Sequence, residues 1–439
     1  MAKGLRISVV WLFLATVAGC SAPAMSLQSY SKQGIDPRRV MDPAAQSEAE
    51  QLCNWVEFYS MCEQLKATRK PEVMPPKKSV LVLSGGGTYG AYTAGVLVGW
   101  SEAGNRPNFD VVTGVSTGAL IAAMVFLGPE MDGELKRLYT TVSNNDIYIQ
   151  KLLPRGILSE SLADNTPLEK MIMQVVTPDY LTKVAAEHRK GRRLYVGTTE
   201  MDSRQPIIWD MGAIACQGTA ESRVLFSKLL LASAAIPGFF PPVRIPVEID
   251  GRRSEELHVD GGVTQAVFAR PPWMPANLRN GSHQLFGSDL YIITAGKLYA
   301  DPQSIKLRAL NIAATSVSTL IYSQTRDQLF KLYAVSVLTG MNYRLTSIPE
   351  EFPVPEDATT FDPITMSKMF DEGVRQIRIG QAWRDSPPGF EKGEEISVRA
   401  GVKLSTDQFN PQSVMQPAAK SAVIPKTENG IPIGPMKGN

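Results

Sequence analysis

Two short apolar runs, Ser79–Leu83 and Val111–Val115, each stop at a glycine cluster and restart as a helix-patterned segment, over 89–103 and 117–127. Runs of Val and Leu without polar alternation are typical of strands buried on both faces, and such strands occur in parallel sheets covered by helices. Strand, tight turn and helix in succession therefore predict an α/β chain with a largely parallel sheet. A third strand is expected over 193–198 and a further helix over 225–235, stopped by Pro237. Val243–Ile249 and residues 253–259 flank Asp250-Gly251, a strong hairpin signal. Long helical patterns cover 305–338 and 367–381, the latter followed by Pro387-Pro388-Gly389.

Charge narrows the function. The 439 residues carry 45 Lys and Arg against 43 Asp and Glu, a formal net charge of +2. Nucleic-acid binding needs clustered positive charge, so no nucleic-acid partner is expected. With only 3 His, a His-rich metal site is not available.

The N-terminus reads as an address. Lys3 and Arg6 precede an uncharged stretch over 7–18, too short to span a bilayer as a helix, and small residues follow. Val17-Ala18-Gly19-Cys20 resembles a bacterial lipobox, so residues 1–19 are expected to be a lipoprotein signal peptide and Cys20 the lipidated residue. Loss of Lys3 and Arg6 leaves a formally neutral chain, anchored to a membrane by acyl groups. Ser21 rather than Asp after the Cys favours, by resemblance to lipoproteins, the outer over the inner membrane of a bacterial envelope. Residues 20–44 are polar and Pro-containing, a tether. Residues 45–77 hold an amphipathic helix near 45–69 and a Pro-rich linker. Cys53 and Cys62 lie about 13 Å apart on a continuous helix, so they pair only if it breaks between them. Residues 391–439 form a C-terminal tail, turning to Pro, Gly, Ser, Lys and Asn past about residue 405 and expected to be partly disordered.

Three motifs carry the chemistry. Gly114-Val115-Ser116-Thr117-Gly118 is a G-x-S-x-G between a strand and a helix. A Ser on that turn projects its hydroxyl near the positive end of the helix dipole. The structural alternative is a helix N-cap at Ser116 or Thr117. Gly85-Gly86-Gly87-Thr88-Tyr89-Gly90 presents backbone N–H groups at a helix entrance, suited to an oxyanion. The same letters satisfy G-x-G-x-x-G, but the acid of a dinucleotide site should close the second strand, and Asp110 opens it. Asp260-Gly261-Gly262 follows the hairpin and puts a carboxylate at a strand end.

A Ser nucleophile needs a base. His258 and His283 are available, but neither sits in a supporting motif. The alternative is a dyad in which Asp260 takes the Ser116 proton, which requires burial to raise its pKa.

Taken in order, GGGTYG, GVSTG and DGG, with Ala232-Ser233-Ala234-Ala235-Ile236-Pro237-Gly238-Phe239-Phe240-Pro241-Pro242 before the last, resemble the patatin-like phospholipase family over about 78–390. The resemblance implies an α/β, three-layer patatin-like fold whose largely parallel central sheet is flanked by helices. It implies Ser116 as nucleophile, Asp260 as base, Gly85, Gly86 and Gly87 as oxyanion hole, and Gly114, Gly118, Gly261 and Gly262 as motif glycines. It further implies hydrolysis of acyl esters of phospholipids, lysophospholipids or related lipids through an acyl-enzyme, with no metal or organic cofactor. The family usually has Arg or Lys where this chain has Tyr89, which removes a cation suited to a phosphate. A lipid transacylase and a non-catalytic envelope lipoprotein that keeps the fold are the alternatives.

Overall fold

The computed structural model describes residues 77–151, 159–249, 252–269, 287–301, 309–391 and 394. The expected signal peptide, Cys20, the expected tether, the helix expected over 45–69, Cys53, Cys62, Asp250-Gly251, His283 and almost all of the expected 391–439 tail lie outside them. All described secondary structure belongs to the unit Met1–Glu391.

In chain order its main elements are β1 (Ser79–Leu83), α1 (Gly90–Glu102), β2 (Val111–Val115), α2 (Thr117–Val125), α3 (Asp132–Thr140), α4 (Thr166–Val175), α5 (Pro178–Arg189), β3 (Arg193–Glu200), β4 (Gln205–Asp210), α6 (Ala220–Ser233), β5 (Val243–Ile249), β6 (Arg252–Asp260), β7 (Asp289–Ile293), α7 (Ala309–Thr339), β8 (Asn342–Thr346) and α8 (Pro363–Arg378). One eight-stranded sheet runs β8-β7-β1-β2-β3-β6-β5, with β4 also on β3. Neighbours from β8 to β3 pair in parallel, while β4 and β6 run antiparallel to β3. The sheet is thus mixed, mostly parallel and flanked by helices, as the strand and helix pattern predicts. The hairpin also forms, with Ile249 opposite Arg252.

Side-chain alternation explains the layering. Leu81 and Leu83 of β1 enter one core, packed under α1, α2, α6 and α8, while Val80 and Val82 enter a second with Leu329 and Leu332 of α7. A strand buried on both faces has no polar side to show, which is why β1 and β2 read as unbroken apolar runs.

Two differences from the expected elements concern the site. A 3-10 turn, Gly87–Tyr89, precedes α1, so the Gly-rich segment is a true loop and helix geometry starts at Gly90. Residues 129–192, to which the sequence pattern assigns no element, hold α3, α4 and α5, which wall one side of the site.

Candidate active site

Strand register assembles the site. Leu83 pairs with Gly114, so Gly85, two residues past β1, comes beside Ser116, two residues past Gly114. The contact is tight: a Cβ on Gly85 would fall 2.8 Å from the Ser116 Cβ. On the other side Val115 pairs with Gly197. One edge of β3 is occupied by β4 over Tyr195–Glu200, so β6 must share the β2 edge, and it starts where β2 stops, with Asp260 opposite Thr198. Asp260 therefore takes the position β2 would fill if it continued through Ser116. The carboxyl ends of parallel strands are where α/β sheets place ligand sites.

Ser116 has φ 57° and ψ −131°. A non-glycine residue there costs of the order of 1–3 kcal/mol of strain. Its side chain caps nothing on α2, which removes the N-cap reading. The backbone is held elsewhere: the Ser116 N–H donates to Ser233 Oγ at 2.9 Å. Gly118 lets the elbow close, since a Cβ there would stand 2.5 Å from the Ser84 carbonyl oxygen. Gly114 lies under the same first turn of α2, against Gly118.

Asp260 is 6% exposed. Its Oδ1 accepts the Gly262 N–H at 2.7 Å, and its carboxylate is hydrogen-bonded to the Ser116 side chain. Burial raises its pKa from 3.8 to about 6, against the lowering effect of those two hydrogen bonds. Its backbone is pinned by an N–H bond to the Ala235 carbonyl at 2.9 Å and a Thr199 hydroxyl bond to its own carbonyl at 3.0 Å. Gly261 packs against the Gly197 carbonyl.

The Gly-rich loop flanks Ser116 from β1. Gly86 and Gly87, both at positive φ, pass close under the carbonyls of Ala295 and Ala358. Ser84 anchors the loop, accepting the Ala295 N–H and donating to the Gly85 carbonyl, both at 2.8 Å. Tyr89 donates its hydroxyl to the Pro355 carbonyl at 2.6 Å, and burial raises its pKa further from neutrality, so this position carries no charge.

The candidate bases separate. His258 is buried with both ring nitrogens engaged, Nε2 with Glu256 and Nδ1 with Thr198, each at 3.0 Å. Neither ring nitrogen bonds Ser116 or Asp260. Asp110 accepts the Ser79 N–H at 2.8 Å, at the opposite end of β1 from the Gly-rich loop, so it is not placed as a dinucleotide acid.

From Ser116 an apolar cleft of about 880 Å³, open mouth included, runs between the helices. Leu120 and Met124 of α2, Met171 and Val175 of α4, Leu230 of α6 and Phe361 line it. Ser233, Ile236 and Phe240 fall in the 232–242 segment, which does not itself assign them a role, and the α2 and α4 parts of the wall carry no motif; only the periodicity of apolar residues in 166–180 hints at them.

Residues 81–273 match the model of the patatin-like phospholipase family. A patatin-like phospholipase domain-containing protein of Meyerozyma guilliermondii is 28% identical over 173 residues, 38% of this chain and 22% of that protein. A cUMP-AMP-activated phospholipase of Escherichia coli is 48% identical over 90 residues, 20% of this chain and 25% of that one. The chain thus spans about a quarter of the length of these relatives. Among solved structures, VipD from Legionella pneumophila superposes with TM-score 0.34 at 14% identity, covering 70% of this chain and 66% of that one. Full-length ExoU from Pseudomonas aeruginosa, solved with SpcU, gives TM-score 0.23 at 16% identity, covering 70% and 53%.

Proposed function

We propose, for a chain whose residues 81–273 match the model of the patatin-like phospholipase family, that Ser116 and Asp260 form the dyad of a lipid acyl hydrolase. The observation that carries this reading is a single one. A buried carboxylate with its pKa raised to about 6 is hydrogen-bonded to a strained serine at the end of an apolar cleft. A carboxylate of ordinary pKa is too weak a base, and burial brings this one toward the working range.

Asp260 takes the Ser116 proton as Oγ adds to the ester carbonyl. The N–H groups of Gly85, Gly86 and Gly87 receive the oxyanion. Collapse transfers the proton from Asp260 to the departing alcohol and leaves an acyl-serine. Water then gives its proton to Asp260, attacks the acyl carbon and releases the fatty acid, and Ser116 recovers its proton. No His takes part.

The cleft fits the acyl chain and holds no charge to hold a headgroup, so the substrates are acyl esters of phospholipids, lysophospholipids or related lipids. The chain is held at a bacterial envelope membrane through acylated Cys20, with Ser21 directing it to the outer membrane. Mass spectrometry of the membrane-bound protein checks this: an unmodified Cys20 refutes it, and Cys20→Ser should lose both the lipid and cleavage before that residue.

A fluorophosphonate probe tests the enzyme. It should label Ser116 and leave Ser116→Ala unlabelled. An unlabelled wild type would return the chain to a binding or structural role.

A further inference from the structure

The long helix α7 stands largely outside the core. Its C-terminal end leads through Gly340 and Met341 into β8, at the edge of the sheet where the parallel strands begin. Gln324, further back along α7, donates to the Thr264 carbonyl at 2.6 Å, in the loop that follows Asp260-Gly261-Gly262. Gln328 Oε1 accepts the Val267 N–H from the same segment at 3.0 Å. Gln324 and Gln328 thus fix α7 beside the loop that follows Asp260, at the active-site end of the sheet, and residues 309–323 precede that contact along the helix.

Residues 309–325 contain no charged side chain. Ile312 is 46% exposed, Leu320 68% and Ile321 47%, and Val263, next to the Asp260 loop, is 47% exposed. Three hydroxyls on this stretch turn inward: Ser316, Thr319 and Thr325 donate to the carbonyls of Ile312, Thr315 and Ile321, each at 2.8 Å. Such bonding usually weakens a helix in water slightly. In a lipid phase it satisfies those three hydroxyl hydrogens within the helix.

We infer that the exposed apolar side chains Ile312, Leu320 and Ile321 of α7, together with Val263, form a lipid-surface docking site that sets the active-site edge of the sheet against a bilayer. Three features favour lipid over a protein partner. The stretch is uncharged, the hydroxyls of Ser316 and Thr319 are satisfied within the helix, and it flanks the one site whose substrate resides in a bilayer. The inference rests on the acyl-hydrolase reading for that last point. A second copy of the chain is the competing occupant. Docking through α7 is separate from the acyl anchor on Cys20: the anchor holds the chain near the membrane, and α7 orients the cleft toward it.

Hydrogen–deuterium exchange on the full chain carrying Cys20→Ser, with and without phosphatidylethanolamine–phosphatidylglycerol vesicles, tests the inference. Amides in 309–323 should exchange at least about tenfold more slowly with vesicles, as for an interfacial helix. Leu320→Glu with Ile321→Glu should abolish that protection. It should also lower the ratio of vesicle-lipid turnover to turnover of a soluble p-nitrophenyl ester by about tenfold or more. Unchanged exchange on adding vesicles overturns the inference. So does protection that is present without vesicles and disappears on dilution, which assigns the face to a second copy. A wild type that cleaves neither ester defeats the hydrolase reading, while exchange still decides the docking.

Discussion

The hydroxyl of Ser233 accepts the Ser116 backbone N–H at 2.9 Å and donates to the Gly197 carbonyl at 2.7 Å. It thereby ties the elbow to β3, the strand that also receives Asp260. Ser233→Ala leaves a buried N–H and a buried carbonyl without that partner, at a cost of about 1–3 kcal/mol. Ester turnover should fall because Ser116 loses the support of its strained backbone, whereas Ser233→Thr should restore part of it. Denaturant melts and kcat on a soluble ester check both, and an Ala variant with wild-type kcat would show that the tie does not serve catalysis.

Ser116→Ala should end ester hydrolysis and leave the fold intact, since one side-chain oxygen is lost and the backbone bond to Ser233 remains. Retained turnover of a p-nitrophenyl ester, with circular dichroism unchanged, would remove Ser116 from the reaction.

The Asp260 pKa sets a pH window. Below 3.8 the carboxyl is neutral folded and unfolded. Between 3.8 and about 6 the unfolded chain ionises first and the folded protein holds the extra proton, so stability falls as pH rises. Above that window the buried charge costs of the order of 3 kcal/mol. Asp260→Asn should therefore stabilise the protein at neutral pH, flatten stability across this window and lower kcat by several orders of magnitude. In the wild type kcat/KM should fall on the acid side with an apparent pKa near 6. An acid limb near that of a free carboxylate, or an Asn variant no more stable than wild type, contradicts the burial argument.

The two glycines after Asp260 differ in kind. A Cβ on Gly261 would stand 2.5 Å from the Gly197 carbonyl oxygen, whereas one on Gly262 meets only Asp260 Oδ1, at 3.1 Å. Gly261→Ala should therefore disturb the β3–β6 junction and cost about 2 kcal/mol or more, as overpacking does. Gly262→Ala should melt close to wild type and lose turnover by displacing the carboxylate. Equal effects of the two on stability would contradict this division.

What the sequence reveals follows from what each part requires. The elbow, the Gly-rich loop and the Asp260 turn need particular residues at particular backbone angles, so they are legible as motifs. The cleft needs only apolar surface, which Leu168, Met171 and Val175 supply without a signature, and α4 and α5 go unread with it. β8 alternates buried Tyr343 and Leu345 with exposed Asn342 and Arg344, as an edge strand does, and lacks the apolar run that reveals β1. Pairing β6 beyond the end of β2 depends on β4 occupying the other edge of β3, a long-range fact that no local pattern carries.

His258 decides between dyad and triad. Glu256 only accepts, so His258 Nε2–H is the donor in their 3.0 Å bond. The Trp209 indole donates to Thr198 Oγ1 at 2.8 Å, which leaves the Thr198 hydroxyl hydrogen for His258 Nδ1 at 3.0 Å. Both nitrogens are thus committed two residues before Asp260, inside the β3–β6 pairing, where Glu200 stands opposite His258. Removing the ring strands a buried carboxylate and a buried hydroxyl. His258→Ala should therefore destabilise the protein by about 1–3 kcal/mol, and more through Glu256. Below its lowered melting temperature, kcat should stay within a few-fold of wild type, because the proton path from Ser116 to Asp260 is untouched. His258→Gln, which can serve both partners, should recover part of the stability. A His258→Ala variant that melts like wild type yet loses kcat as completely as Asp260→Asn would replace the dyad with a triad.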